Sequence, residues 1–335
     1  MALIRSVCRR STVSSLAVLC AGMTMMAPPA SASEGGTNLY LLGSGGPGAA
    51  VLPPLKGVYL DNTVYIYSGD VSADRDFVLG GRVVAGLDAV IVAEFSTFMW
   101  VPSMNIAGGT LVLGAALPIG VPMVTADAVL TGPRGQQIDV SRRDSTMTYG
   151  DPIVTAMMGW KTGNLHVTLA GLLNVPVGDY REGELANIAF HRWAGDASLA
   201  LSMHDPKSGW DVSGKAGVTF NGTNDVTDYK TGTEFHLEAA VEKALSPKFS
   251  AGVLGYYYHQ LSGDSGSGAV LGPNKGEVVA LGGTVAFNTV LGRSPATFRL
   301  RVLQEFDATR RMEGTAALLS LTLPLHMQLP TGAPE

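Results

Sequence analysis

Past residue 20 the chain has no cysteine: its two, Cys8 and Cys20, both fall within the first 32 residues. If those residues are removed on export, the remaining chain has no thiol, which excludes disulfides, cysteine metal sites and thiol nucleophiles. Long apolar runs are missing as well. After residue 32 no stretch offers the roughly 18 uncharged apolar residues of a spanning helix, and the longest candidate, Val83 to Val101, is broken by Asp88 and Glu94. Basic residues are in deficit, 23 against 28 acidic, for a formal charge of -5. That is the wrong sign for gripping phosphate backbones, so nucleic acid is excluded as a partner.

What is present begins with an export signal. Arg5, Arg9 and Arg10 precede an apolar run from Val13 to Met26 and the small-residue site Ala30-Ser31-Ala32, which predicts cleavage after Ala32. The cut removes three arginines and no acid, taking the charge to -8. Residues 33–55 then read as a flexible lead-in. Its run GSGGPG from Gly43 suggests a phosphate loop, but no lysine-serine or lysine-threonine pair follows, so a plain linker or periplasmic segment is expected, with a plug entering the lumen from the periplasm left open for Ser33 to Pro54.

From residue 56 to 325, stretches of about ten residues alternate apolar and polar side chains between turn-rich spacers. In Trp210 to Asn221, for instance, Trp210, Val212, Gly214, Ala216, Val218 and Phe220 share one face, and Asp211, Ser213, Lys215, Gly217, Thr219 and Asn221 the other. Strands are expected at Gly57 to Tyr67, Leu87 to Val101, Asn105 to Leu117, Pro152 to Lys161, Leu165 to Val175 and Asp196 to Met203. Six more follow at Trp210 to Asn221, Glu234 to Ala244, Lys248 to Gln260, Lys275 to Asn288, Ala296 to Phe306 and Gly314 to Leu325. Short spacers such as Lys161 to Asn164, Asp205 to Ser208 and Ser246-Pro247 alternate with long ones at Thr131 to Asp151, Pro176 to Gly195, Asn221 to Thr233 and Ser262 to Asn274. The expected fold is all-β: a transmembrane antiparallel up-and-down β-barrel of about twelve strands in the bacterial outer membrane, with a tail from residue 326 to 335. An even strand count brings both chain ends to the periplasmic side, and a barrel of this size is narrow and mostly filled by side chains.

The polar faces collect the ionisable groups: Asp211 and Lys215; His236, Glu238 and Glu242; Arg299, Arg301 and Glu305. A lysine or arginine facing mid-bilayer lipid costs about 2 to 4 kcal/mol, so these residues belong in the lumen, either as a self-neutralising network or as groups that guide a solute. His236-Leu237-Glu238 looks like the start of a zinc-deaminase signature without its cysteine pair, and no metal or cofactor is expected. Gly263-Asp264-Ser265-Gly266 copies the tetrapeptide around a serine-protease nucleophile, but in a loop of this composition it reads as a turn. In Tyr256-Tyr257-Tyr258 the middle ring opposes its neighbours. Girdle positions are expected for the block, with at least one ring available to an aromatic solute.

Several runs resemble an outer-membrane family linked to the meta-cleavage pathway of phenol degradation. They are Leu52-Pro53-Pro54 with Gly57 to Leu60, Tyr65 and Tyr67; Pro176 to Tyr180, Leu185 to Asn187 and Trp193; then Asp228-Tyr229, Thr231-Gly232, Glu234 to His236, Gly255 to Tyr258, Gln260-Leu261, Asp264 to Gly266 and Leu323 to Leu325. The resemblance implies a barrel that passes hydrophobic or aromatic compounds across the outer membrane, with no catalytic residues, and makes Trp193 and the tyrosine block candidates for girdle or solute contact. Passive uptake is the leading expectation. The alternatives are a plugged structural or adhesion barrel, and a barrel-embedded lipid hydrolase using one of His166, His204, His236 or His259. Outer-membrane lipid and a small solute are the expected partners, with a homo-oligomer open to such a barrel.

Overall fold

The computed structural model describes residues 33–79, 82–131 and 137–328. The predicted leader, residues 1–32, and the tail from residue 329 lie outside the described residues. Twelve long antiparallel strands close into one barrel: β1 Gly57–Leu79, β2 Arg82–Ile106, β3 Gly109–Thr131, β4 Ile153–Thr162, β5 Leu165–Asn174, β6 Ala194–Asp205, β7 Trp210–Asn221, β8 Glu234–Ala244, β9 Phe249–Gln260, β10 Glu277–Leu291, β11 Ser294–Thr309 and β12 Glu313–Met327. Each pairs with its neighbour in sequence, and β1 closes the ring on β12, Tyr65 opposite Leu318 and Gly69 opposite Gly314. Closure leaves the twelve barrel strands without a free edge, the condition for strands to cross a membrane.

All twelve expected strands are found, and the first three are the most extended beyond expectation. β1 and β2 continue as a paired hairpin to Leu79 and Arg82, and β3 runs on to Thr131, where it pairs with Gln137–Ser145 instead of β4. The break before Asn105 is also displaced: β2 turns into β3 at Ala107-Gly108, both with positive φ (48° and 74°), the geometry of a two-residue hairpin turn. The last strand continues past Leu325 through Met327, opposite Gly57.

Short turns such as Gly163-Asn164 and Gly292-Arg293 gather at one end of the barrel, with Gly57 and Met327, where the wall begins and ends. Long connections, 175–193, 222–233 and 261–276, gather at the other. Along β7 burial alternates as the sequence does: Asp211, Ser213, Thr219 and Asn221 are buried inside, while Trp210, Val212 and Phe220 are exposed outside. Exposed aromatics ring the wall near both rims, Trp100, Trp210, Phe249 and Phe287 at the turn end, Phe220 and Phe306 at the loop end.

The lead-in is where expectation and structure part. Residues 33–56 are not a free linker: they thread the lumen from the loop end at Ser33 to the turn end at Lys56, whose carbonyl accepts the Gln328 amide at 2.9 Å. Leu39, Tyr40, Leu42 and Ala50 are buried there, and Tyr40 and Leu42 share one apolar core with wall residues Tyr67, Leu254, Tyr256, Leu303 and Leu318.

Candidate functional site

The lumen is built as a ladder between this inner segment and the wall. At the turn end, Gly159 on β4 leaves room for Leu52, whose Cδ1 lies 2.5 Å from where a Cβ would stand. Above it the Ala50 amide donates to Ser202 Oγ (2.9 Å), and its carbonyl accepts from Thr168 (2.9 Å). The Gly48 amide reaches both Asp211 Oδ1 and Ser213 Oγ at 3.0 Å.

At mid-height the Glu238 carboxylate accepts the amides of Gly43 and Gly45, one on each oxygen, both at 2.7 Å. The glycine-rich run is therefore an anion cradle whose anion is the protein's own side chain. Gly43 has φ +83°, a conformation that side chains rarely adopt. Next along the segment, Tyr40 lies flat on His236, whose Nε2 meets Asp196 Oδ2 at 2.9 Å, and Lys215 Nζ sits 4.5 Å from the tyrosine ring centroid.

Of the eight lumen charges expected from sequence, Asp211, Lys215, His236 and Glu238 thus converge on the inner segment. Glu242 and Arg299 instead pair with each other, supported by Ser250 and Thr284. Arg301 lies beside Gly46, its Nε 3.0 Å from that residue's would-be Cβ and unpartnered. Glu305 accepts the hydroxyls of Tyr67 and Tyr256, each at 2.7 Å. Among the described residues no ion pair joins Arg299 or Arg301 to Glu238 or Glu305. In the tyrosine block two rings face inward, Tyr256 on Glu305 and Tyr258 on Glu234 (2.7 Å). Tyr257 faces outward, its hydroxyl on Glu277 at 2.9 Å. Trp193 is exposed at the loop end.

An apolar cavity of about 130 Å³ opens in the upper lumen between the inner segment and the wall. Leu41, Tyr65, Phe95, Ile188 and Phe190 line it, and Tyr67, Tyr256, Glu305 and Arg311 supply its polar groups. The 175–193 connection forms its roof, anchored by Asp151, which accepts Asn174 Nδ2, Gly178 N and Phe190 N at 2.8 Å and His191 N at 3.0 Å.

At the loop end Ser33 and Glu34 are buried among residues of the runs that carry the family resemblance, together with Arg192, Asn224 and Thr227, which the sequence did not single out. Glu34 accepts from Asn224 (3.1 Å) and Thr227 (2.8 Å) and lies 3.9 Å from Arg192. Tyr180 donates to it at 3.4 Å; burial first, then the Glu34 charge, push this phenol above its ordinary range and keep it a donor. Asp264, expected as a turn residue, is a buried acceptor for Tyr229 (2.6 Å), Gly232 N (3.0 Å), Gln260 (2.5 Å) and Ser33 N (3.0 Å). The inward positions of Asn221 and Glu234 follow from strand alternation and were legible; Asp151 and Asp264 sit on connections, where no period applies. Among the described residues no serine hydroxyl bonds a histidine nitrogen; His204 and His236 instead meet Asp211 (3.0 Å) and Asp196 (2.9 Å).

A closed, even-stranded antiparallel barrel with an apolar exterior and a polar lumen is the architecture of outer-membrane β-barrels. It is similar to the crystal structure of an outer membrane channel from Pseudomonas putida F1, with TM-score 0.64 and 14% identity over 82% of this chain and 98% of that one. A Bordetella autotransporter β-domain (TM-score 0.45, 12% identity, 81% and 100% covered) and a Pseudomonas aeruginosa FadL homologue (0.40, 8%, 83% and 92%) also match. No curated protein matches the sequence. Residues 73–321 match the family described as "Putative MetA-pathway of phenol degradation", and the chain belongs to that family.

Proposed function

We propose that the protein is a passive outer-membrane channel for small hydrophobic, chiefly aromatic, solutes, and that residues 33–56 are the movable obstruction in its lumen. The observation that carries this reading is the cavity beside the inner segment. Its size, about 130 Å³, is close to the roughly 150 Å³ of an apolar protein cavity known to admit benzene. Tyrosine hydroxyls, Glu305 and Arg311 on its walls offer partners to a phenolic hydroxyl or a carboxylate. The family's association with phenol degradation agrees with this solute class, and the outer membrane channel among the similar structures agrees with a channel. In this reading the loop end faces outward, the turn end faces the periplasm, and Trp193 and Tyr257 sit at headgroup depth.

The filled lumen also favours a second reading, a permanently closed structural or adhesion barrel. Single-channel recording of the mature protein, with and without phenol or benzoate, separates the two. Discrete openings blocked by either aromatic support the channel; a silent, correctly folded barrel supports the closed one.

A further inference from the structure

Ser33 is the first described residue, and its surroundings are those of a charged amine. Its backbone nitrogen donates to Asp264 Oδ2 at 3.0 Å, and its hydroxyl lies 3.4 Å from Glu234 Oε1, 3.2 Å from the Tyr258 hydroxyl and 3.3 Å from Gln260 Oε1. The residue is 2% exposed, with Asp264 and Glu234 equally buried around it. Among the described residues no lysine or arginine forms an ion pair with either carboxylate. Arg192 and Arg311, the cations of this end of the lumen, are engaged by Glu34 and by Asn38 and Tyr258. Arg192 and Arg311 act on Glu234 only from beyond ion-pair distance, so the two buried carboxylates leave this pocket short of positive charge at close range.

The backbone gives an independent indication. Ser33 has φ 65° and ψ 133°, outside the regions open to an L-residue other than glycine. That torsion exists only while a residue precedes Ser33; at a chain terminus the strain disappears.

We infer that the loop end of the lumen is a binding pocket for the protein's own α-ammonium group, created at Ser33 by leader removal. The inference rests on cleavage between Ala32 and Ser33 and does not depend on the solute proposed above. Hydrolysis of that peptide bond takes up one water and leaves a carboxylate on Ala32 and an ammonium on Ser33. The new cation supplies the missing charge, donates to Asp264 and Glu234, and relieves the left-handed torsion. Processing thereby completes the inner segment's upper anchor. Of the residues that bear the most specific part of the family resemblance, Thr231, Glu234, Gln260 and Asp264 meet Ser33 or Glu34 directly, and Tyr229 and Gly232 hold Asp264 in place.

The test uses the mature full-length protein, folded in detergent. Mass spectrometry gives its first residue, and brief treatment with an amine acetylating reagent at neutral pH, followed by proteolysis, gives the reactivity of its α-amine folded and unfolded. The expected result is a chain starting at Ser33, with the amine labelled at least about tenfold more slowly when folded, as a buried, ion-paired group demands. Asp264→Asn is expected to abolish most of that protection. Should that variant not fold, a refolded chain carrying one extra alanine before Ser33 makes the same comparison, because the amine is then displaced from the pocket. A different first residue, or equal labelling in folded and unfolded protein, overturns the inference. Protection without aromatic block keeps the amine pocket and removes the channel reading; block with an unprotected amine does the reverse.

Discussion

Tyr40 and His236 lie face to face with ring centroids 3.6 Å apart and planes 5° from parallel. One ring belongs to the inner segment and the other to the barrel wall, so this stack is a direct measure of how firmly the lumen is filled. Asp196 fixes the imidazole from the side and Lys215 approaches the tyrosine ring, so the rung is buttressed by charge as well as by area. Tyr40→Ala is expected to weaken the segment's seating by about 2 to 4 kcal/mol, from lost burial and stacking. Hydrogen exchange at Gly43 and Gly45 checks it: those amides should exchange much faster while strand amides keep their protection.

Glu238 is the second hold. Each of its oxygens accepts one segment amide, and hydrogen bonds to a buried charge contribute about 1.5 to 3 kcal/mol. Glu238→Ala should therefore raise the open fraction in single-channel records, with Glu238→Gln intermediate because it keeps one acceptor. Unchanged gating in both variants, with normal heat-modifiability, would remove Glu238 from the obstruction.

Gly43→Ala tests the backbone geometry of the same cradle. At φ +83° an added Cβ costs about 1 to 2 kcal/mol, and it stands 3.0 Å from Leu303 Cδ1. A small loss of thermal stability with a shift toward the open channel is expected. Gly163→Ala also has positive φ but nothing within 4 Å of its Cβ, and lies at the turn end away from the segment. It should show the strain without the change in gating.

The cavity gives a test specific to the solute. Ile188 on the roof lines it without belonging to the barrel wall, and Ile188→Trp fills the space with a side chain rather than disturbing the strands. Block by phenol or benzoate should weaken roughly tenfold or more, about 1.4 kcal/mol, while conductance without solute stays near that of the parent.

How much of this was legible in the sequence follows from where each residue sits. Strands such as β7 were readable because lipid outside and polar groups inside impose a period of two, and that same period placed Asp211, Lys215, His236 and Glu238 in the lumen. The far ends of β1 to β3 were not, because their pairing goes on beyond Tyr67 and Leu117, the limits of the clear alternation. Ala107 hid a hairpin turn that asparagine or glycine would have announced. That residues 33–54 could plug the lumen was open from the sequence, but the segment's seating was illegible for a different reason: GSGGPG has the composition of a linker, and its partner Glu238 is 195 residues from Gly43. Only the folded barrel brings the cradle and its carboxylate together.

The central claim is that residues 33–56 obstruct a pore that would otherwise conduct. The most direct measurement compares single-channel conductance of the mature protein with that of a variant lacking residues 33–50, both refolded and both shown to be intact barrels. A several-fold larger and steadier conductance in the shortened chain is the expected result, since the wall would then enclose an aqueous lumen. Equal conductance in the two would contradict the account, because the segment could not then be what closes the barrel.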